Sequence, residues 1–128
     1  MPPSPDEPAL PPASALALAQ QLIDSGQPFR AHEVLEASWK AAPPAERDLW
    51  RGLAQVAVGL THARRGNARG AVALLRRGAD AISGYADACP HGINAAGIAG
   101  SAGELADGIE AGGLAAVPPG RLVIRLVG

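Results

Sequence analysis

From Ser14 to Ala71 apolar residues recur every three or four positions, and the runs break at glycines and prolines. Leu16, Ala19 and Ile23, with Leu18 and Leu22 beside them, describe a first helix closed by Ser25-Gly26. Pro28, of a type favoured in a first helical turn, starts a second helix that runs to about Ala42. Pro43-Pro44 stops it, because the residue before a proline is pushed out of helical geometry. The third and longest helix runs from about Ala45 to Arg65 on the stripe Leu49, Leu53, Val56, Leu60 and Ala63. Gly66-Asn67 reads as a C-cap glycine followed by an N-cap asparagine, so a fourth helix follows, to about Tyr85. Breaks this short make consecutive helices antiparallel neighbours.

Beyond Tyr85 the periodicity weakens. ADACPHGIN reads as a loop, and Asn94 to about Gly112 as a fifth helix with Ile98, Leu105 and Ile109 inward. Four glycines inside that run lower its stability. At the end, Val123, Ile124, Leu126 and Val127 follow a Pro-Pro-Gly turn and read as extended. In a helical protein such a segment has no sheet to join, so it docks along a groove or pairs with another copy of the chain. The pattern therefore predicts an all-α fold, a compact bundle or irregular array of about five helices with a short extended C-terminal tail. The domain spans residues 13–115 and the tail 116–128. Residues 1–12, with six prolines, cannot hold a helix ladder and are expected to form a disordered arm.

The second helix carries an unusual stripe. Phe29, His32, Glu33 and Glu36 follow i, i+3, i+4, i+7 spacing, and Trp39 lies nearly one turn further on. The opposite face, with Ala31, Val34 and Leu35, is also apolar, so the helix is expected to be covered on both sides. Two buried carboxylates without partners cost several kcal/mol. The third helix offers partners: Gly52, Gln55, Gly59 and His62 run beside its core stripe, the glycines letting another backbone come close. The expectation is a network sealed from water between the two helices.

That stripe admits three chemistries. The first is a structural hydrogen-bond network among His32, Glu33, Glu36, Gln55 and His62, in a non-enzymatic binding or scaffold domain. The second is a divalent-metal site on His32, Glu36 and His62, with Glu33 as further ligand or catalytic base of a hydrolase-like enzyme. HEVLE resembles the HExxH helix of zinc proteases but lacks its second histidine. The third is a pocket for a small polar or cationic ligand, flanked by Trp39, with a carboxylate as acid or base. A helical-hairpin adaptor is a further alternative, since GNARGAVALL resembles one helix of a tetratricopeptide repeat, although repeat arrays usually need about three units.

Composition narrows the classes. A length of 128 residues suits one domain, and a net charge of −1 gives no global pull towards nucleic acid or anionic membrane. No apolar run approaches the roughly 20 residues needed to span a bilayer. The start lacks a secretory signal, and Cys89, the single cysteine, rules out an internal disulfide, so a cytoplasmic protein is expected. Lys40 is the only lysine, which points to compositional bias towards arginine. Arg51, Arg64, Arg65, Arg69, Arg76 and Arg77 form a basic section followed only by acids up to Gly120. Solvated arginines, some pairing with those acids, account for it; without aromatic interleaving or a phosphate loop a nucleic-acid face is not expected, although the Asn67 helix start is a place where an anion can sit. With aromatics scarce, Phe29, Trp39, Trp50 and Tyr85 are expected to be large core pieces.

AHEVLEASW followed by RGLAQVAVGLTHARRGNARGAVALL resembles the family catalogued as domain of unknown function 309. The resemblance rests on His32, Glu33, Leu35, Glu36 and Trp39, then Gly52, Leu53, Gln55, Ala57 and His62, then Gly66, Asn67, Gly70 and Ala71. It covers residues 28–98 and implies a compact all-helical fold, with no known catalytic activity, substrate or cofactor. Asn94 stands where the family tends to have an aspartate.

Overall fold

The structure, a computed structural model, describes residues 9–127. The arm expected over residues 1–12 lies outside the described residues up to position 8; Pro12 itself opens the first helix. Five α-helices follow: α1 Pro12–Asp24, α2 Pro28–Ala41, α3 Arg47–Arg64, α4 Ala68–Ser83 and α5 Ala95–Gly112. Each packs against the next in sequence. Among the described residues there is no strand, only an isolated antiparallel bridge between Ile93 and Val127. None of the described helices is long and apolar enough to cross a membrane.

Local chemistry sets the helix ends. After α3 the chain turns at Gly66, whose φ of 80° belongs to the left-handed region. There Asn67 N–H donates to His62 O (2.8 Å) and Gly66 N–H to Ala63 O (3.2 Å), so the last carbonyls are satisfied. Asn67 then caps α4, its Oδ1 accepting from Gly70 N–H at 3.0 Å. Asn94 repeats the device at α5, accepting from Gly97 N–H at 3.2 Å. An aspartate would cap equally well. The position at which this chain differs from its resembled family is a helix start.

Helix α3 is the hub, buried on most sides, with Leu49, Trp50, Leu53, Val56, Ala57 and Leu60 in the core. Gly52 and Gly59 do bring another backbone close, but it is α4 and not α2. A Cβ on Gly78 of α4 would stand 2.8 Å from Gly52 O, and one on Gly59 would stand 2.8 Å from Leu75 Cγ. The glycine stripe therefore serves the α3–α4 contact.

The tail docks on its own domain. Leu122, Ile124 and Leu126 are buried while Arg121, Arg125 and Val127 face out, a two-residue alternation that seats three aliphatic side chains worth about 1.5–3 kcal/mol each. Gln20 of α1 stands in for a neighbouring strand: its Nε2 donates to Ile124 O (3.1 Å) and its Oε1 accepts from Leu126 N–H (2.7 Å). Asn94 N–H donates to Leu126 O at 3.0 Å. The groove that a helical-hairpin adaptor would offer a partner here is thus filled by the chain's own tail.

Candidate functional site

Helix α2 is covered on one side only. Ala31, Val34, Leu35 and Ser38 are buried, at i, i+3, i+4, i+7 spacing. This places His32, Glu36 and Trp39 on the flank of the helix and leaves Phe29 and Glu33 exposed. Phe29, at 46% exposure, is not a core piece; its ring lies under the Arg65 guanidinium at 5.3 Å and beside the His32 ring at 5.6 Å. Trp50 is the deeply buried aromatic, and Trp39 and Tyr85 are half-buried.

The flank forms one wall of a cavity of about 390 Å³ that opens to solvent. His32, Glu36 and Trp39 line it from α2, Arg51, Ala54, Gln55 and Val58 from α3, and Arg77 from α4. The α3 set is itself an i, i+3, i+4, i+7 series, one position round the helix from the glycine stripe. That spacing was a signal present in the sequence, and the basic section hid it. The network expected to be sealed is instead an open groove. His32 and Glu36 side chains are 21% and 34% exposed.

Within the groove Glu36 is fully engaged. His32 Nε2 lies 2.9 Å from its Oε2, and Lys40 Nζ donates to its Oε1 at 3.0 Å. With the ring proton on Nε2, Nδ1 presents a lone pair. His32 Nδ1 and Gln55 Oε1 are both buried and have no hydrogen-bond partner among the described residues. Ser38 Oγ is also buried and unpaired, and nothing in the structure explains it. Arg51 and Arg77 are exposed, and neither pairs with a carboxylate among the described residues. The next arginine, Arg76, points the other way and forks onto Asp107 (3.0 Å) and Glu110 (2.7 Å) of α5, holding the Glu110 carboxyl below the usual range. A small cationic ligand, expected from the carboxylates, would meet two arginines and an acid already paired with His32 and Lys40.

The structure gathers His32, Glu36, Trp39 and Gln55 and leaves out Glu33, His62 and Asn67. Glu33 is exposed and outside the groove, so it is not placed as a base there. His62 lies at the α3–α4 junction, its Nδ1 accepting from Asn67 Nδ2 at 3.1 Å. The structure therefore does not bring His32, Glu36 and His62 together, and no three His, Cys, Asp or Glu residues among the described ones are grouped to hold an ion.

A second His–Glu pair, not foreseen from the sequence, sits at the α2–α3 corner. His91 Nε2 approaches Glu46 Oε1 to 2.6 Å, and Trp50 Nε1–H donates to the same oxygen at 3.2 Å. The Tyr85 hydroxyl donates to Ala45 O at 2.9 Å nearby. His91 and Cys89 both take left-handed backbone, at φ 57° and 42°. The His91 hydrogen bond, with a smaller part from Trp50, holds the Glu46 carboxyl below its usual range against the opposing effect of burial.

These features define a class: an all-helical domain with a half-open polar groove across its three central helices. Residues 16–74 match the model of the family described as Domain of unknown function (DUF309), so the resemblance holds from α1 into α4. That match begins earlier and ends sooner than the span carried by the sequence motifs. Over 48 residues the chain is 48% identical to the uncharacterized protein YpuF of Bacillus subtilis (strain 168). Those residues are 37% of this chain and 28% of that relative's length, well under two thirds of it. No solved structure matches the chain.

Proposed function

We propose that this domain is a non-enzymatic binding domain whose α2–α3–α4 groove holds a small ligand. The observation that carries the reading is a pair of buried polar atoms, His32 Nδ1 and Gln55 Oε1, that have no partner among the described residues and lie under a groove walled by Trp39. A network that serves stability alone closes its hydrogen bonds. Each polar atom left open inside a fold costs about 1–3 kcal/mol, and such costs persist where a ligand recovers them. The cavity falls in the size range of small-molecule sites and mixes apolar walls with a few polar groups.

The test is a melting-temperature screen against small polar compounds, run on the wild type and on Gln55→Leu. Ligands of the folded state raise the melting temperature by mass action. Gln55→Leu removes an open acceptor at similar volume, so the unliganded variant is expected to gain up to about 1 kcal/mol while losing the hits. A variant that melts lower, in a screen with no hits, would return Gln55 to a structural role and end this reading.

A further inference from the structure

Resting on the groove reading, we infer that the ligand is a small anion, a carboxylate or phosphate gripped by Arg51 and Arg77, carried on a largely apolar or aromatic body with an N–H or O–H donor for Gln55 Oε1. Arg51 and Arg77 come from different helices, α3 and α4, and line one cavity. Neither is neutralised by a carboxylate among the described residues. Arg76 shows the alternative fate on the same helix: where acids stand within reach, the guanidinium is taken up by them. Glu36, the one acid among the described lining residues, is occupied by His32 and Lys40, and the two arginines leave that lining with excess positive charge. A guanidinium's planar fork matches carboxylate and phosphate oxygens two at a time. Trp39, Ala54 and Val58 share the lining, apolar surface that suits a flat or aliphatic body and not a bare inorganic ion.

Trp39 makes the test direct, because it lines the cavity while Trp50, the other tryptophan, is buried at 2% exposure. Tryptophan emission is followed while the protein is titrated with phenyl phosphate, phenylacetate and the neutral phenylacetamide, with Trp39→Phe as the silent control. Both anions are expected to give a saturable change that weakens with added salt, and the amide to bind about tenfold more weakly. Phenyl phosphate binding well above phenylacetate assigns a phosphate ligand; equal binding assigns a carboxylate. In the double variant Arg51→Gln, Arg77→Gln, whose sites are exposed, the anions should fall to the level of the amide. Discrimination that survives the double variant overturns the role given to these arginines. Phenylacetamide binding as tightly as the anions overturns the anion inference and leaves the groove reading standing. No saturable response to any of the three probes removes both.

Discussion

The molecule uses the same chemistry twice, an imidazole against a carboxylate, with opposite results. At the α2–α3 corner, His91 reaches Glu46 across 45 positions of sequence, and Trp50 closes on the same oxygen. This pair ties a loop to a helix start and leaves no buried side-chain atom unpaired. In the groove, His32 and Glu36 are one turn apart on a single helix, so their pairing joins nothing that the helix backbone does not already join. The other ring nitrogen of His32 and the oxygen of Gln55 stay unpaired among the described residues. A contact that holds a fold together spans elements and leaves no buried atom unpaired. The corner meets both conditions and the groove meets neither, which is why the groove is read as the place for a ligand.

The comparison breaks most visibly at the tryptophans. Trp50→Ala is expected to lower stability by about 3–5 kcal/mol in chemical denaturation, since it empties the core beneath the corner and strips Glu46 of a donor. The same change at half-buried Trp39 should cost clearly less. Equal losses would mean that the groove wall is as structural as the corner.

A smaller effect separates the two pairs by pH. The Glu46 carboxyl is held below its usual value of 4.5 in the folded protein, so the unfolded chain takes up the proton first as pH falls. The stabilisation is present in full above about pH 4.5 and is lost as pH drops through the lowered folded value. His91→Ala should cost about 1 kcal/mol at neutral pH and flatten the decline of stability on the acid side. An unchanged acid slope would show that the 2.6 Å contact adds nothing in solution.

The fold was legible because its signals are local. Pro43-Pro44, Gly66-Asn67 and the spacing of Ile98, Leu105 and Ile109 each act through backbone geometry within one or two turns, and α5 forms despite its glycines. The groove was legible on its α2 side, where His32, Glu36 and Trp39 share a flank. On α3 the reading fell one position out. A glycine stripe announces a close neighbour without saying which, and Gly52 and Gly59 meet α4, taking His62 with them to the α3–α4 junction. The corner pair was hidden because it depends on left-handed backbone at Cys89 and His91, which no neighbouring residue announces. The Gln20 clamp was hidden for another reason: its partners are main-chain atoms of a tail more than 100 positions away.

The smallest expected effect is the sharpest test of the comparison. Glu36→Gln breaks the charge pairing of Glu36 with both His32 and Lys40, a change that would be severe in a sealed network, where an uncompensated group costs several kcal/mol. On a half-open helix flank, i,i+4 pairs contribute only about 0.2–0.5 kcal/mol each, and the amide oxygen still accepts one hydrogen bond. Stability should therefore stay within about 0.5 kcal/mol of wild type by denaturant titration. Binding should move the other way: removing the one acid among the described lining residues leaves Arg51 and Arg77 less opposed, so phenyl phosphate tightens. A large loss of stability with no change in binding would give both His–Glu pairs the same structural role and dissolve the distinction between groove and corner.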